Sequence, residues 1–223
     1  MTRYAVYFAP APAHPLWHAG CDWLGRDPLT SEARAPTRAH VDEPWRYGFH
    51  ATLKPPMRLA PGRDEAGLHL AIEQLAQRTP RFAMPVLSVQ WLAEFIALRP
   101  VPLLLPTHPL RRLADACVTE LDAWRAPPSP EELQRRLAAP LAASQRELVQ
   151  RYGYPHVLAH WRFHMTLSDV LPPDAPLRGA LHSAATQHFA AALGQPLTCD
   201  ALSLFAEPVP GQPFRLLQRY PLA

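Results

Sequence analysis

Apolar positions recur along this chain at two spacings, and the spacings lay out most of its elements. A short apolar run over residues 4–9 reads as a buried strand. Leu16, Trp17, Cys21 and Leu24 fall at helical spacing, so residues 15–24 are predicted helical. The polar stretch 31–44, with Arg, Pro and Thr, reads as a loop, and 47–54 as a strand closed by Pro55 and Pro56. Residues 64–78 carry the clearest helix, with Leu68, Ile72, Leu75 and Ala76 as its stripe, Pro61-Gly62 before it and Pro80 after it. Residues 82–90 and 93–99 read as two strands of a hairpin, and 109–124 as a second amphipathic helix. Over 129–151 Ser129 is placed to cap a helix and Pro130 to start it, while Pro140 should kink or split it. A strand over 161–170, a helix over 175–193 stopping at Gly194, and strands over 201–207 and 214–220 complete the pattern.

Within this pattern one pentapeptide occurs twice. Phe49-His50-Ala51-Thr52-Leu53 returns as Phe163-His164-Met165-Thr166-Leu167, 114 residues later. Side chains alternate faces along a strand. In the first copy Phe49, Ala51 and Leu53 share an apolar face, and Arg46, Gly48, His50, Thr52 and Lys54 share the other. In the second copy Phe163, Met165 and Leu167 oppose His160, Arg162, His164, Thr166 and Ser168. Each strand therefore buries one side and offers His, Thr and a cation on the other. The repeat and the alternation of strands with helices predict an α+β fold with two pseudo-symmetric sheet-and-helix lobes around a central cleft. Lobe 1 is expected over about 1–105, a helical connector over about 106–152 and lobe 2 over about 153–223.

Two imidazoles facing one site can divide the breaking of a phosphodiester, because histidine both accepts and donates protons near neutrality. One takes a proton from water or a hydroxyl, and the other gives one to the departing oxygen. Thr52 and Thr166 are placed to hold the phosphoryl oxygens and Lys54 and Arg162 to balance their charge, with Arg46 and Tyr154 as further candidate substrate contacts. This chemistry asks for no metal and no other cofactor.

Composition narrows the partners. A formal charge of +3, spread along 223 residues, is too weak for a duplex-DNA surface. A small phosphorylated substrate suffices for a few basic residues in a cleft, and an RNA end fits the same chemistry. Lys54 is the chain's only lysine. The three cysteines are odd in number and form no CxxC pair, which reads as buried thiols in a reducing compartment. The first residues read as a strand rather than a signal peptide, and no apolar run approaches the roughly 20 residues of a membrane span. A cytoplasmic location is expected. There is no GxSxG elbow and no GxxxxGK[ST] loop, so acyl transfer and P-loop ATP use are not indicated.

The paired His-x-Thr, with an apolar residue after each Thr, resembles the two-histidine (2H) phosphoesterase superfamily, which includes RNA-ligase-like 2′,3′-cyclic phosphodiesterases. The stretch from Arg46 to Pro56, with Gly153-Tyr154-Pro155 and Arg162 to Leu167, is similar to a bacterial branch encoded beside phosphonate-utilisation genes. The resemblance implies a two-lobed fold, metal-free catalysis and catalytic roles for His50, Thr52, His164 and Thr166. That genetic context favours a phosphoribosyl cyclic phosphate or a related small ester over RNA. The long central insert departs from the minimal family pattern, and is placed to cap the cleft against polymers. Two rivals remain. His156, His160 and His164, at i, i+4 and i+8, would stack three metal ligands on a helix, although Pro155 argues against a continuous one. A non-catalytic nucleotide- or RNA-binding module would use Trp45, Tyr47, Tyr154 or Trp161 to stack a base in the same anion pocket.

Overall fold

In the computed structural model, residues 1–33 and 38–223 are described, and the middle of the loop expected over 31–44 lies outside them. Strand β1 (Arg3–Phe8) is followed by α1 (Pro15–Leu24), α2 (Asp42–Tyr47), β2 (Ala51–Met57) and α3 (Glu65–Gln77). Next come β3 (Phe82–Ala83), β4 (Leu87–Leu92), β5 (Phe95–Pro100), α4 (Pro109–Glu120), α5 (Pro130–Leu137) and α6 (Ala143–Tyr152). The chain closes with β6 (Met165–Thr166), α7 (Arg178–Leu193), β7 (Thr198–Cys199), β8 (Ala201–Glu207) and β9 (Arg215–Pro221). The fold is α+β, with every strand pairing antiparallel.

The main sheet has the order β2-β1-β8-β9 and a second sheet the order β4-β5-β6, with β3 and β7 paired apart. Each motif strand, β2 and β6, is thus an edge strand of its own sheet, and the two edges touch. The sheets are interleaved along the chain. The main one draws two strands from before residue 60 and two from after residue 200, so a split at 105 and 153 does not describe its strands.

The main sheet is covered on both faces. Tyr4, Val6 and Phe8 of β1 join Leu53 and Leu204 in the larger core, while Ala5, Tyr7 and Ala9 pack with Trp17, Phe205 and Phe214 on the other side. This double burial is why β8 reads as a nearly unbroken apolar run and is buried along its whole length. Each fully buried large side chain contributes roughly 1.5–3 kcal/mol relative to exposure.

Local signals set most helix ends. The Asp64 carboxylate accepts from the Gly67 N–H at 2.8 Å and starts α3. Ser129 accepts from the Glu132 N–H at 3.2 Å, Pro130 opens α5, and Pro140 falls in the break between α5 and α6. The helix expected over 109–124 ends at Glu120, and a 3-10 turn follows over Asp122–Trp124.

The motif strands differ from expectation. Residues 42–47 are helical, and β2 starts only at Ala51, then runs through Pro55 and Pro56. An edge strand tolerates proline because its outward N–H needs no partner. β6 is two residues long rather than ten. Beyond it the Ser168 hydroxyl accepts from the Ile96 N–H at 2.9 Å, so a side chain replaces the next rung of the ladder. The hairpin expected from 82–99 is β4–β5, with residues 82–83 peeled away to pair with β7. The three cysteines are buried, and none of them forms a disulfide among the described residues. Among the described residues no helix is long and apolar enough to cross a membrane.

Candidate active site

Both motif histidines sit one residue before their strands, and both are held in the same way. The Nδ1–H of His50 donates to the Gly48 carbonyl at 2.8 Å, and that of His164 to the Arg162 carbonyl at 2.8 Å. A carbonyl only accepts, so in the neutral ring Nδ1 carries the proton and Nε2 is left open. In each copy the anchor is the carbonyl two residues back. The Phe flanks explain the placement, since Phe49 and Phe163 are buried in the core and turn the preceding and following side chains outward.

Gly48 makes the first anchor possible. It ends α2 with φ +79° and ψ 174°, a region that essentially only glycine occupies. A Cβ there would lie 3.0 Å from Pro28 Cβ and Cγ. On the far side of its ring His50 stacks on Tyr7, with centroids 3.7 Å apart and planes at 25°. Tyr7 is buried, and its hydroxyl has no hydrogen-bond partner among the described residues. Burial first, then the neighbouring Tyr47, raise the Tyr7 pKa well above the ordinary value, so the group stays an O–H donor.

Electrostatics follow from this enclosure. Burial lowers the His50 pKa to about 4, partly opposed by the Gly48 hydrogen bond and assisted by the charges of His164 and Arg26. Burial also lowers His164, opposed by the Arg162 carbonyl and assisted by Arg99 and His156. Two further ties bring the second motif onto the first half of the chain. The Trp161 indole N–H donates to the Thr52 carbonyl at 2.8 Å, and the Trp23 indole N–H to the Leu167 carbonyl at 2.7 Å.

A cleft of about 540 Å³ opens at this junction. Thr52, Tyr154, Arg162 and His164 line it, as do His156 and His160. His50 stands beside it, with Nε2 3.3 Å from the Thr52 hydroxyl. Thr166 pairs with Ala97 in β6, half-buried and outside the lining. Arg162 is exposed, with no hydrogen-bond or ion-pair partner among the described residues, and is the only cation besides histidine that lines the cleft there. Gln145 of α6 also reaches the cleft, so the central helical segment does form part of its wall.

Two expected contacts lie elsewhere. Lys54 is buried, donates to the Val118 carbonyl at 3.0 Å and approaches Asp122 at 3.6 Å, outside the cleft. Arg46 pairs with the buried Glu207, which also takes Arg3 and accepts from the Gly211 N–H at 3.0 Å. Burial alone would raise the Glu207 carboxyl, but these hydrogen bonds hold it down at about 2.

The three spaced histidines share the cleft but not a helix: His160 ends a 3-10 turn and bonds Ser144 at 2.9 Å, and His156 approaches Gln145 at 3.4 Å. Among the described residues no group of three or more His, Cys, Asp or Glu side chains is arranged to hold a metal ion. Of the aromatics considered for base stacking, Trp161 is buried, Tyr47 stacks on Phe214 at 5.1 Å, and Arg26 covers Trp45 at 5.2 Å. Tyr154 alone keeps an exposed face in the cleft. Sequence reasoning passed over Tyr7, which an apolar strand run hides, and Gln145, which a polar helix face hides.

The fold and site define an α+β protein that carries two tautomer-fixed imidazoles at the edges of two sheets meeting beside a cleft. The chain belongs to the family described as protein of unknown function (DUF1045), which it matches over residues 52–215. It is also 39% identical, along its full length, to a ribose 1,5-bisphosphate phosphokinase PhnN of Janthinobacterium sp. (strain Marseille), covering 51% of that protein. A protein of the same name from Laribacter hongkongensis (strain HLHK9) is 39% identical over 96% of this chain and 50% of its own length. The chain spans about half the length of these curated relatives.

Proposed function

We propose that this chain is a metal-independent phosphoesterase that opens a small cyclic phosphodiester by paired-histidine acid–base catalysis. The observation that carries the reading is the matched anchoring of His50 and His164, each with Nδ1 tied to the carbonyl two residues back and Nε2 left unprotonated, that of His50 within 3.3 Å of the Thr52 hydroxyl. Chance surface histidines have no reason to share a tautomer and a neighbourhood.

In this reading His50 is the base, because its enclosure keeps it neutral down to a pH of about 4. Its Nε2 takes a proton from water as the water oxygen bonds to phosphorus. The bond from phosphorus to one ring oxygen breaks, and His164 Nε2–H gives its proton to that oxygen, leaving a phosphomonoester and a free hydroxyl. The arriving anion favours the protonated form of His164. The Thr52 and Thr166 hydroxyls donate to the non-bridging oxygens, Thr166 after a shift towards the cleft, and Arg162 balances their charge. Tyr154 contacts the sugar.

The relatives' name points to a ribose carrying phosphates, and supports a phosphoribosyl cyclic phosphate over RNA. That name is a kinase's, yet this half contains no GxxxxGK[ST] loop. We assign the kinase step to the part of those proteins that this chain does not match. The test is cleavage of pentose and nucleoside cyclic phosphates. His50→Ala and His164→Ala should each lower turnover by about 10² or more with the fold intact by circular dichroism. Full turnover in either variant refutes the mechanism. Loss of activity on exhaustive chelation, restored by zinc, would replace it with a metallohydrolase, and nucleotide affinity without turnover with a binding module.

A further inference from the structure

A second recess shares a wall with the cleft. Pro55, Tyr154 and Val157 line both. On its other sides stand Arg3, Lys54, Arg58, Arg125 and Arg136, with Glu132 as the one carboxylate. The recess is narrow, about 50 Å³. That is several times the roughly 10–15 Å³ one water needs, and matches a phosphoryl group rather than a sugar or base.

Its cations outnumber their carboxylate partners. Glu132 is shared by Arg58 at 2.8 Å and Arg136 at 2.6 Å. Asp122 is shared by Arg125 at 2.8 Å and Lys54 at 3.6 Å, and Glu207 by Arg3 and Arg46. Three carboxylates thus serve the five cations of the recess and Arg46, which does not line it, so the recess carries an excess of at least two positive charges. Gly153, at φ +74°, lets two of the guanidinium groups close in, because a Cβ there would lie 3.2 Å from both Arg125 Nη1 and Arg136 Nη1. The crowding shows in the charges. Burial first, then the neighbouring arginines despite Glu132, lower Arg136, and burial with Arg125 lowers Lys54 to about 8. The unpartnered Tyr7 hydroxyl lies in the fields of Arg3 and Tyr154, both of which line the recess.

We infer that this recess binds a second phosphoryl group of the same substrate, a terminal phosphomonoester on the sugar whose cyclic phosphodiester lies at the histidines. The inference rests on the phosphoesterase reading for the first phosphate only. Thr52 lines the cleft and Lys54 the recess, two residues apart on β2 with an irregularity in the strand pairing between them, so the two spaces are neighbours along one strand. A pentose with a phosphoryl group at each end would place one beside Thr52 and the other beside Lys54, across the wall that Pro55, Tyr154 and Val157 form. The substrate class is a pentose with a cyclic phosphodiester at one end and a phosphomonoester at the other. A 2′,3′-cyclic nucleoside phosphate without a distal phosphate leaves the recess unfilled.

Two measurements separate this inference from the reading beneath it. Calorimetry with ribose 5-phosphate as the probe should show binding to the wild type and to His50→Ala, and at least tenfold weaker binding to Arg58→Gln and Arg136→Gln. Arg58 is partly exposed, so its variant tests the recess even where Arg136→Gln fails to fold. No binding to the wild type, or equal binding to all the folded variants, overturns the recess. Turnover is then compared for a pentose cyclic phosphate with and without the distal phosphate. The wild type should prefer the former at least tenfold in kcat/KM, and Arg58→Gln should erase the preference. Turnover of both without preference also overturns the recess. Binding with no turnover of either sinks the hydrolase reading and leaves the recess standing.

Discussion

Replacing Gly48 by alanine tests whether the backbone before β2 positions the first imidazole. At φ +79° and ψ 174° an alanine sits in a region that costs an L-residue on the order of 1–3 kcal/mol. Its Cβ would also approach Pro28 Cβ and Cγ at 3.0 Å and Arg26 Nη2 at 3.3 Å. Arg26 is itself held by the carbonyls of Trp45, Arg46 and Phe214 at 2.8–3.2 Å, so that side cannot yield cheaply. A total near 2–3 kcal/mol follows if the chain keeps its path, which for a chain of this size lowers Tm by roughly 4–12 °C. If instead the loop rotates to relieve the strain, the Gly48 carbonyl leaves His50 Nδ1 and the tautomer is no longer fixed. Stability then recovers while kcat falls, by about tenfold or more, the worth of a lost positioning hydrogen bond. The assay is thermal unfolding alongside cyclic phosphodiester turnover. A Gly48→Ala protein with wild-type Tm and wild-type kcat would show that neither the strain nor the anchor matters, and would refute the argument.

Two further outcomes follow from the charges. His50 works as a base only above its pKa of about 4, and His164 as an acid only below a pKa that burial sets under the usual 6.5; kcat/KM should therefore be bell-shaped with its optimum on the acid side of pH 6.5, and an optimum above pH 8 contradicts the assignment. Glu207 has a folded pKa of about 2 against roughly 4.3 in an unfolded chain, so its contribution is complete above about pH 5 and fades as pH falls towards 2. Denaturant unfolding of Glu207→Gln should show a loss on the order of 3 kcal/mol at pH 7 that shrinks steadily below pH 4; a loss independent of pH would mean that the ion pairs do not carry it.

Much of the fold was legible because its signals are local. Ser129, Pro130 and Pro140 set the start and break of the central helices through their own backbones, and the boundaries of α1 and β8 match the apolar pattern to the residue. The motif strands were misjudged at their ends because pairing decides those ends. Proline should stop a strand, but β2 lies at an edge where the missing N–H costs little. β6 is short because Ser168 takes over its bond to Ile96, and alternation of residue types carries no sign of that. The face reading put His50, Thr52 and Lys54 on one side, yet Lys54 lies in the neighbouring recess, since the pairing of β2 with β1 shifts register between Thr52 and Lys54 and breaks the alternation. Arg46 was grouped with them on strand alternation, but it belongs to α2, and its partner Glu207 is 161 residues away.

The braiding of early and late strands in the main sheet has a consequence for biosynthesis. β1 and β2 are made before the other strands of this sheet, but β1 pairs on its other side with β8, whose first residue emerges 144 positions after β2 ends. At roughly 5–20 residues per second, the ribosome needs about 7–30 s to deliver it. Through that interval one side of β1 stays open, with Tyr7 exposed to whatever the nascent chain meets. The strand whose Tyr7 stacks on His50 is thus made early within this sheet and completed late, and holding chaperones have their natural purchase there.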